Sequence, residues 1–188
     1  MQMALQHIED FAAKAHEGQQ RKYTPEPFIA HPKRVMEMVR LYNDDISVLA
    51  AALLHDVLED TEVSQGEMRT FLLQHLTAPQ ADRTMKLVIE LTDVYVKKDY
   101  PQWNRRKRKR KEIERICRNS SDAQTIKYAD IIDNCVAVAS QDADFADTFL
   151  KECRNLLNYI TKGNRQLYHK ALETVEAELS QLKQMKNV

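Results

Sequence analysis

The chain has 188 residues, 43% of them hydrophobic, with three glycines and 28 basic against 28 acidic residues. That is enough apolar material for a sizeable core in one domain, and so even a charge balance excludes any argument from net charge for a nucleic-acid or acidic partner. The longest uncharged apolar run, Ile46 to Leu54, has nine residues, well short of the roughly 20 that span a bilayer.

Met1 to Asp10 lacks a charged segment followed by an apolar one, so no signal peptide is expected and no membrane partner. The cysteines, Cys117, Cys135 and Cys153, are far apart and without CxxC spacing. This speaks against a disulfide framework or a thiolate zinc site and for a reducing, cytoplasmic setting.

In chain order, a 3.6-residue apolar rhythm predicts an amphipathic helix over about Met3 to Glu17, capped by Gly18. Pro25 and Pro27 break the loop Gln19 to Pro27, and the next helix begins near His31-Pro32 with proline in its first turn. Asn43-Asp44-Asp45 ends that helix and caps a buried one from Ile46, read as continuing through His55 and Asp56. After a turn at Thr61 to Val63, Ser64-x-x-Glu67 is a capping box for a helix toward Leu76, and Pro79 opens another that ends near Leu91-Thr92-Asp93. Val94 to Asn104 is the least helical stretch, and the basic run behind it leads a helix to about Arg118. Ser121-x-x-Gln124 reads as a second capping box, for a helix that carries Lys127, Asp130 and Asn134 on one face. Asp142 to Lys162 and Asn164 to Lys186 are two closing helices with Gly163 between them. With no repeat, low-complexity tract or linker, the expectation is one all-α domain over residues 1–188.

The chemistry concentrates in His55-Asp56-Val57-Leu58-Glu59-Asp60, directly behind the apolar run. In a continuous helix His55 shares a face with Glu59, and Asp56 with Asp60. Unpaired buried charge is costly, so something must compensate this group, and a divalent cation is the economical candidate.

His31 before a helix, the His55-Asp56 doublet 24 residues later and a distant helical Asp130 form a set that resembles the HD-domain metallophosphohydrolases. Imidazole and carboxylate ligands suit Mn²⁺, Fe²⁺ or Zn²⁺, and two carboxylates without thiolate favour a harder ion such as Mn²⁺. Four protein ligands leave one or two positions of an octahedral ion for water and a phosphate oxygen.

Further motifs narrow the resemblance. They are His16-Glu17-Gly18-Gln19-Gln20-Arg21-Lys22, Pro27 to Pro32, Ala51 to Thr61, Lys127-Tyr128-Ala129-Asp130-Ile131-Ile132-Asp133-Asn134 and Gly163-Asn164-Arg165-Gln166. In this order they are similar to the hydrolase domain of the RelA/SpoT family and to its single-domain members, the small alarmone hydrolases of the metazoan SpoT-homologue type. The resemblance implies a single-domain HD helical bundle that removes the 3′-pyrophosphate of (p)ppGpp, a small-molecule nucleotide. It implies Mn²⁺ on His31, His55, Asp56 and Asp130, and Glu59 and Asp60 as the residues that orient and activate the attacking water. It further implies Arg21, Lys22 and Asn134 as nucleotide contacts.

The chain departs from the family pattern after Asn134. Cys135-Val136-Ala137 stands where members carry an apolar residue, an arginine and then threonine or aspartate. This keeps open a second reading, an HD phosphatase acting on another nucleotide such as NADPH or a nucleoside phosphate. The run Arg105 to Lys111 keeps open a third, a non-catalytic module that binds nucleic acid or protein. Seven consecutive helical residues cover all azimuths, so they make no single-face stripe for a duplex. By itself such a run is most often a solvated helix surface. The resemblance, in which a basic segment at this point lies near the mouth of the site, implies a role in drawing in a multiply charged small molecule rather than nucleic acid.

Overall fold

The computed structural model describes residues 1–22, 24–139 and 143–186. Among these residues the chain is all-α, with ten helices and no strand beyond an isolated bridge between Gln20 and Pro27. It divides into two compact units, Met1–Thr92 and Asp93–Val188.

The first unit holds α1 (Gln2–Ala15), α2 (Ala30–Arg40), α3 (Ile46–Leu54), α4 (Val57–Asp60), α5 (Gln65–His75) and α6 (Ala78–Leu91). Its axis is α3. Every residue of that helix from Ser47 to Leu54 is buried, as its unbroken apolar sequence demands. Helices α1, α2 and α6 pack around it, and α5 lies on α1 and α6. Asp45 caps α3 by accepting from the Ser47 N–H at 2.8 Å. The Ser64–Glu67 box caps α5, and Thr77 and Gln80 form another box at the start of α6, where Pro79 lies.

The second unit holds α7 (Arg105–Ile116), α8 (Ser121–Ala139), α9 (Ala143–Leu157) and α10 (Arg165–Lys186). Helices α8, α9 and α10 pack pairwise. Gly163 is required at the turn into α10. A Cβ there would stand 2.5 Å from Tyr128 Cε2 and 2.8 Å from the Thr125 nitrogen. Asn164 then caps α10 by accepting from the N–H groups of Gln166 and Leu167.

Two sequence expectations need correction. The capping box read at Ser121 and Gln124 is absent. Ser121 is already helical, and Ser120 Oγ accepts from the Ala123 N–H at 3.3 Å. The Gln124 side chain instead donates to the Asn119 carbonyl and accepts from the Lys162 N–H. The apolar helix also does not continue through His55 and Asp56: α3 ends at Leu54, and α4 begins at Val57. The helix start expected at Asp142 lies outside the described residues. No described helix is long and apolar enough to cross a membrane.

Candidate metal centre

The break between α3 and α4 builds the site. A helix end leaves carbonyls without intrahelical partners. Here the Ala52 carbonyl takes a hydrogen bond from His55 Nδ1 at 2.8 Å. A carbonyl only accepts, so this bond puts the proton on Nδ1 and leaves the lone pair on Nε2. Asp56 follows as the N-cap of α4, its carbonyl accepting from the N–H groups of Glu59 and Asp60 at 3.2 and 2.9 Å.

On the neighbouring α2, His31 sits in the first turn, fully buried. The half-buried Asp56 carboxylate lies between the two imidazoles. Its Oδ1 is 3.2 Å from His55 Nε2 and its Oδ2 is 3.5 Å from His31 Nε2. The histidine rings meet edge-on at 5.1 Å. All three residues offer ligand atoms within 4.8 Å of one another.

This donor set fits a divalent metal. The His55 lone pair and a carboxylate oxygen at 3.2 Å repel each other unless a proton or a cation lies between them. Two imidazole nitrogens and a carboxylate oxygen are ligands that transition metals prefer.

Asp60 lies at the end of α4 with solvent access. Loss of hydration, with repulsion from Asp56 second, pushes its carboxyl up to about 6. The charge of Arg21 acts the other way. The Arg21 guanidinium lies over the Phe28 ring at 5.7 Å. Lys22 and Glu59 are exposed.

In the second unit, Asp130 is buried on α8. Its Oδ2 pairs with Lys127 Nζ at 2.8 Å, and its Oδ1 accepts from Asn134 Nδ2 at 2.5 Å. The face predicted from the i, i+3, i+7 spacing is therefore a working hydrogen-bond array.

His16 carried no role in the sequence reading although it sits in one of the quoted motifs. It is buried, stacks on Phe28 at 4.3 Å, and its Nδ1 is 2.8 Å from Gln19 Oε1. Burial holds its imidazole below the ordinary value, and Asp56, His55 and His31 all act on it electrostatically. The signal available in the sequence was its place in the quoted motif, three residues before Gln19.

An open depression of about 390 Å³ beside Asp60 is lined by Gln19, Glu62 and Glu67 among others, and by none of the three ligand residues. Its carboxylates make it a poor receiver for a polyphosphate.

The basic run is largely engaged within its own unit. Arg105 makes a two-pronged pair with Glu152 at 2.7 and 2.6 Å, and Lys111 pairs with Glu114 at 2.6 Å. Lys109 reaches Asp93 at 3.4 Å, Lys107 lies over the Trp103 ring at 4.2 Å, and Arg108 donates to the Trp103 carbonyl.

The HD domain family matches residues 9–166. Human guanosine-3′,5′-bis(diphosphate) 3′-pyrophosphohydrolase MESH1 is 37% identical over 129 residues, 66% of this chain and 64% of that protein. The Drosophila melanogaster MESH1 is 35% identical over 127 residues, 66% of this chain and 63% of its own length. A probable guanosine-3′,5′-bis(diphosphate) 3′-pyrophosphohydrolase of Mycoplasma pneumoniae is 30% identical over 135 residues, 69% of this chain. The match spans only 17% of the mycoplasmal protein, so the chain covers less than two thirds of each of these relatives. Among solved structures, a metazoan ortholog of SpoT that hydrolyses ppGpp superimposes with a TM-score of 0.69 at 24% identity, over 97% of this chain and 95% of that one. The lmo0812 protein of Listeria monocytogenes EGD-e gives 0.59 at 21%, over 83% and 99%. Those structures share the fold, and with the family match over residues 9–166 the chain belongs to the HD domain family.

Proposed function

We propose that the chain is a metal-dependent nucleotide pyrophosphohydrolase that converts (p)ppGpp and water into GDP or GTP and pyrophosphate. The observation that carries this is the convergence of His31, His55 and Asp56 within 4.8 Å, in a chain whose relatives are named for that reaction. The family match crosses the boundary between the two units, which supports one HD-type domain over residues 1–188.

Mn²⁺ is the proposed ion, held by His31, His55 and Asp56 with Asp130 as fourth ligand. The absence of thiolate from the set supports a hard cation. Such an ion, when bound, neutralises phosphoryl charge and makes a water acidic enough to attack near neutral pH. Asp60, with its carboxyl raised to about 6, is matched to accept that proton, and Glu59 beside it would orient the water. Asn134, which already holds Asp130, would bind the sugar or phosphate. Arg21, whose guanidinium lies over the Phe28 ring at 5.7 Å, and Lys22 would meet the nucleotide. The three free thiols agree with a cytoplasmic setting.

One observation favours a second substrate. Val136, at the position where the family pattern has arginine, is 55% exposed and offers a nucleotide no hydrogen bond. Another purine nucleotide or NADPH is therefore the alternative. The binding-module reading is weakened, because acids of the same unit already neutralise much of the basic run.

The test is ion-exchange analysis of products after metal-stripped, Mn²⁺-reloaded protein meets ppGpp, with NADPH, ATP and 3′-phosphorylated nucleotides alongside. GDP plus pyrophosphate is expected. Phosphate released from another nucleotide, with ppGpp intact, would move the substrate. No turnover with Mn²⁺ bound would overturn the hydrolase reading.

A further inference from the structure

The segment His16-Glu17-Gly18-Gln19 folds back on the end of α1. Gly18 turns the chain with a φ of 78°, a conformation glycine adopts without strain, and nothing lies within 4 Å of where a Cβ would stand. The constraint there is therefore conformation rather than space. The turn sets Gln19 against His16, and both main-chain groups of Gln19 are tied. Its N–H donates to the His16 carbonyl at 3.0 Å, and its carbonyl accepts from the Phe28 N–H at 3.1 Å.

The Gln19 side chain is held at both ends. Its Nε2 donates to the Asp60 carbonyl at 2.8 Å, across 41 residues of sequence. Its Oε1 meets His16 Nδ1 at 2.8 Å. Turning the amide over would put Oε1 against the Asp60 carbonyl, two acceptors facing each other, so the orientation is settled. His16 must then carry its proton on Nδ1. Its Nε2 keeps a lone pair that is buried without a hydrogen-bond partner among the described residues.

A carbon ring would stack on Phe28 without burying an unpaired acceptor. Packing alone therefore does not account for histidine at this place. Holding the Gln19 amide does.

We propose that His16 and Gln19 are positioning residues for Asp60: His16 orients the Gln19 amide, which pins the Asp60 main chain and so aims the Asp60 carboxyl. Neither residue touches the reacting atoms. The proposal rests on the assignment of Asp60 to water activation, and its first test does not.

That first test is ¹⁵N NMR of the histidine-labelled full chain without metal. His16 is expected as the Nδ1–H tautomer, the minor form of free imidazole, and Gln19→Ala should release it to the Nε2–H form. An Nε2–H signal in the parent chain, or a tautomer indifferent to Gln19→Ala, would overturn the relay whatever the enzyme hydrolyses.

The second test is kinetic. Gln19→Ala and His16→Phe should each lower kcat by about 10- to 100-fold through misplacement of the carboxyl. KM and Mn²⁺ affinity, read from the electron-paramagnetic signal of the free ion, should stay within about threefold, since neither the ligands nor the nucleotide contacts are touched. His16→Asn, which keeps a donor for Gln19, should recover most of the loss. Folded variants with unchanged kcat, or a change confined to KM, would sink the positioning role.

Discussion

Nε2 of His55 faces Oδ1 of Asp56 across 3.2 Å, while Nδ1 of the same ring is committed to the Ala52 carbonyl. The backbone bond decides which nitrogen carries the lone pair, and so turns a sequence neighbour into a partner for a cation. Asp56→Asn removes the anionic oxygen at almost constant volume. It should cut Mn²⁺ affinity by roughly 10²-fold or more and abolish turnover, with the helical circular dichroism retained. Calorimetric Mn²⁺ titration checks this, and undiminished binding would break the ligand assignment.

Glu59→Gln leaves the donor set intact, because Glu59 is exposed on α4 and is not one of the three residues that converge there. Metal binding should persist while kcat falls by roughly 10²-fold if the carboxylate handles the water. A near-normal rate would hand the whole role to Asp60.

The carboxyl of Asp60 should titrate near 6 in the metal-free chain, read by ¹³C NMR. Loss of hydration at the carboxyl is the first cause and the negative charge of Asp56 the second, so Asp56→Asn should lower that value. The folded value lies above the unfolded one of about 3.9. The native state therefore holds the extra proton between the two values. This contribution to stability is complete below the unfolded value and is lost as pH rises through about 6. A value below 4.5 or so in the folded chain would remove Asp60 from consideration as a base near neutral pH.

Gly163→Ala should destabilise the second unit. The new Cβ would press on Tyr128, whose hydroxyl donates to the Ile160 carbonyl at 2.7 Å and accepts from the Gly163 N–H at 3.2 Å. Overpacking of this kind costs about 1–3 kcal/mol. Urea unfolding monitored by circular dichroism measures it, and a change below roughly 0.5 kcal/mol would mean that the turn adapts freely.

Neutralising Arg106 and Arg110 together should raise KM for a polyanionic nucleotide and flatten its dependence on salt, because they add to the long-range field. Both lie in α7, where Arg110 approaches Glu114 at a loose 3.8 Å. Kinetics at two ionic strengths read the effect, and an unchanged KM would leave the run as plain solvated surface.

Much of this molecule was legible one residue at a time. Asp45, Ser64 and Pro79 mark helix starts because capping and ring geometry act over three or four residues. The burial of α3 follows from a sequence with no polar face to turn outward. The face shared by Lys127, Asp130 and Asn134 follows from helical periodicity, and the structure fills it with contacts of 2.8 and 2.5 Å. The misread box at Ser121 shows where such reasoning stops. Gln124 fits the local pattern, yet its side chain is claimed by Asn119 and by Lys162, 38 residues on.

Composition, periodicity and the ordered motifs determined an all-α chain of HD type and singled out His31, His55 and Asp56, which the structure brings within 4.8 Å of one another. The tertiary structure alone decided that the helix breaks at His55, that Asp56 serves two imidazoles at once, and that Gln19 reaches Asp60 from a turn at the far end of α1. Helical spacing and capping are local consequences of backbone geometry and can be read along the chain. Tautomers, proton affinities and the aim of a carboxyl depend on which distant group arrives within 3 Å or so, and only packing brings those groups together.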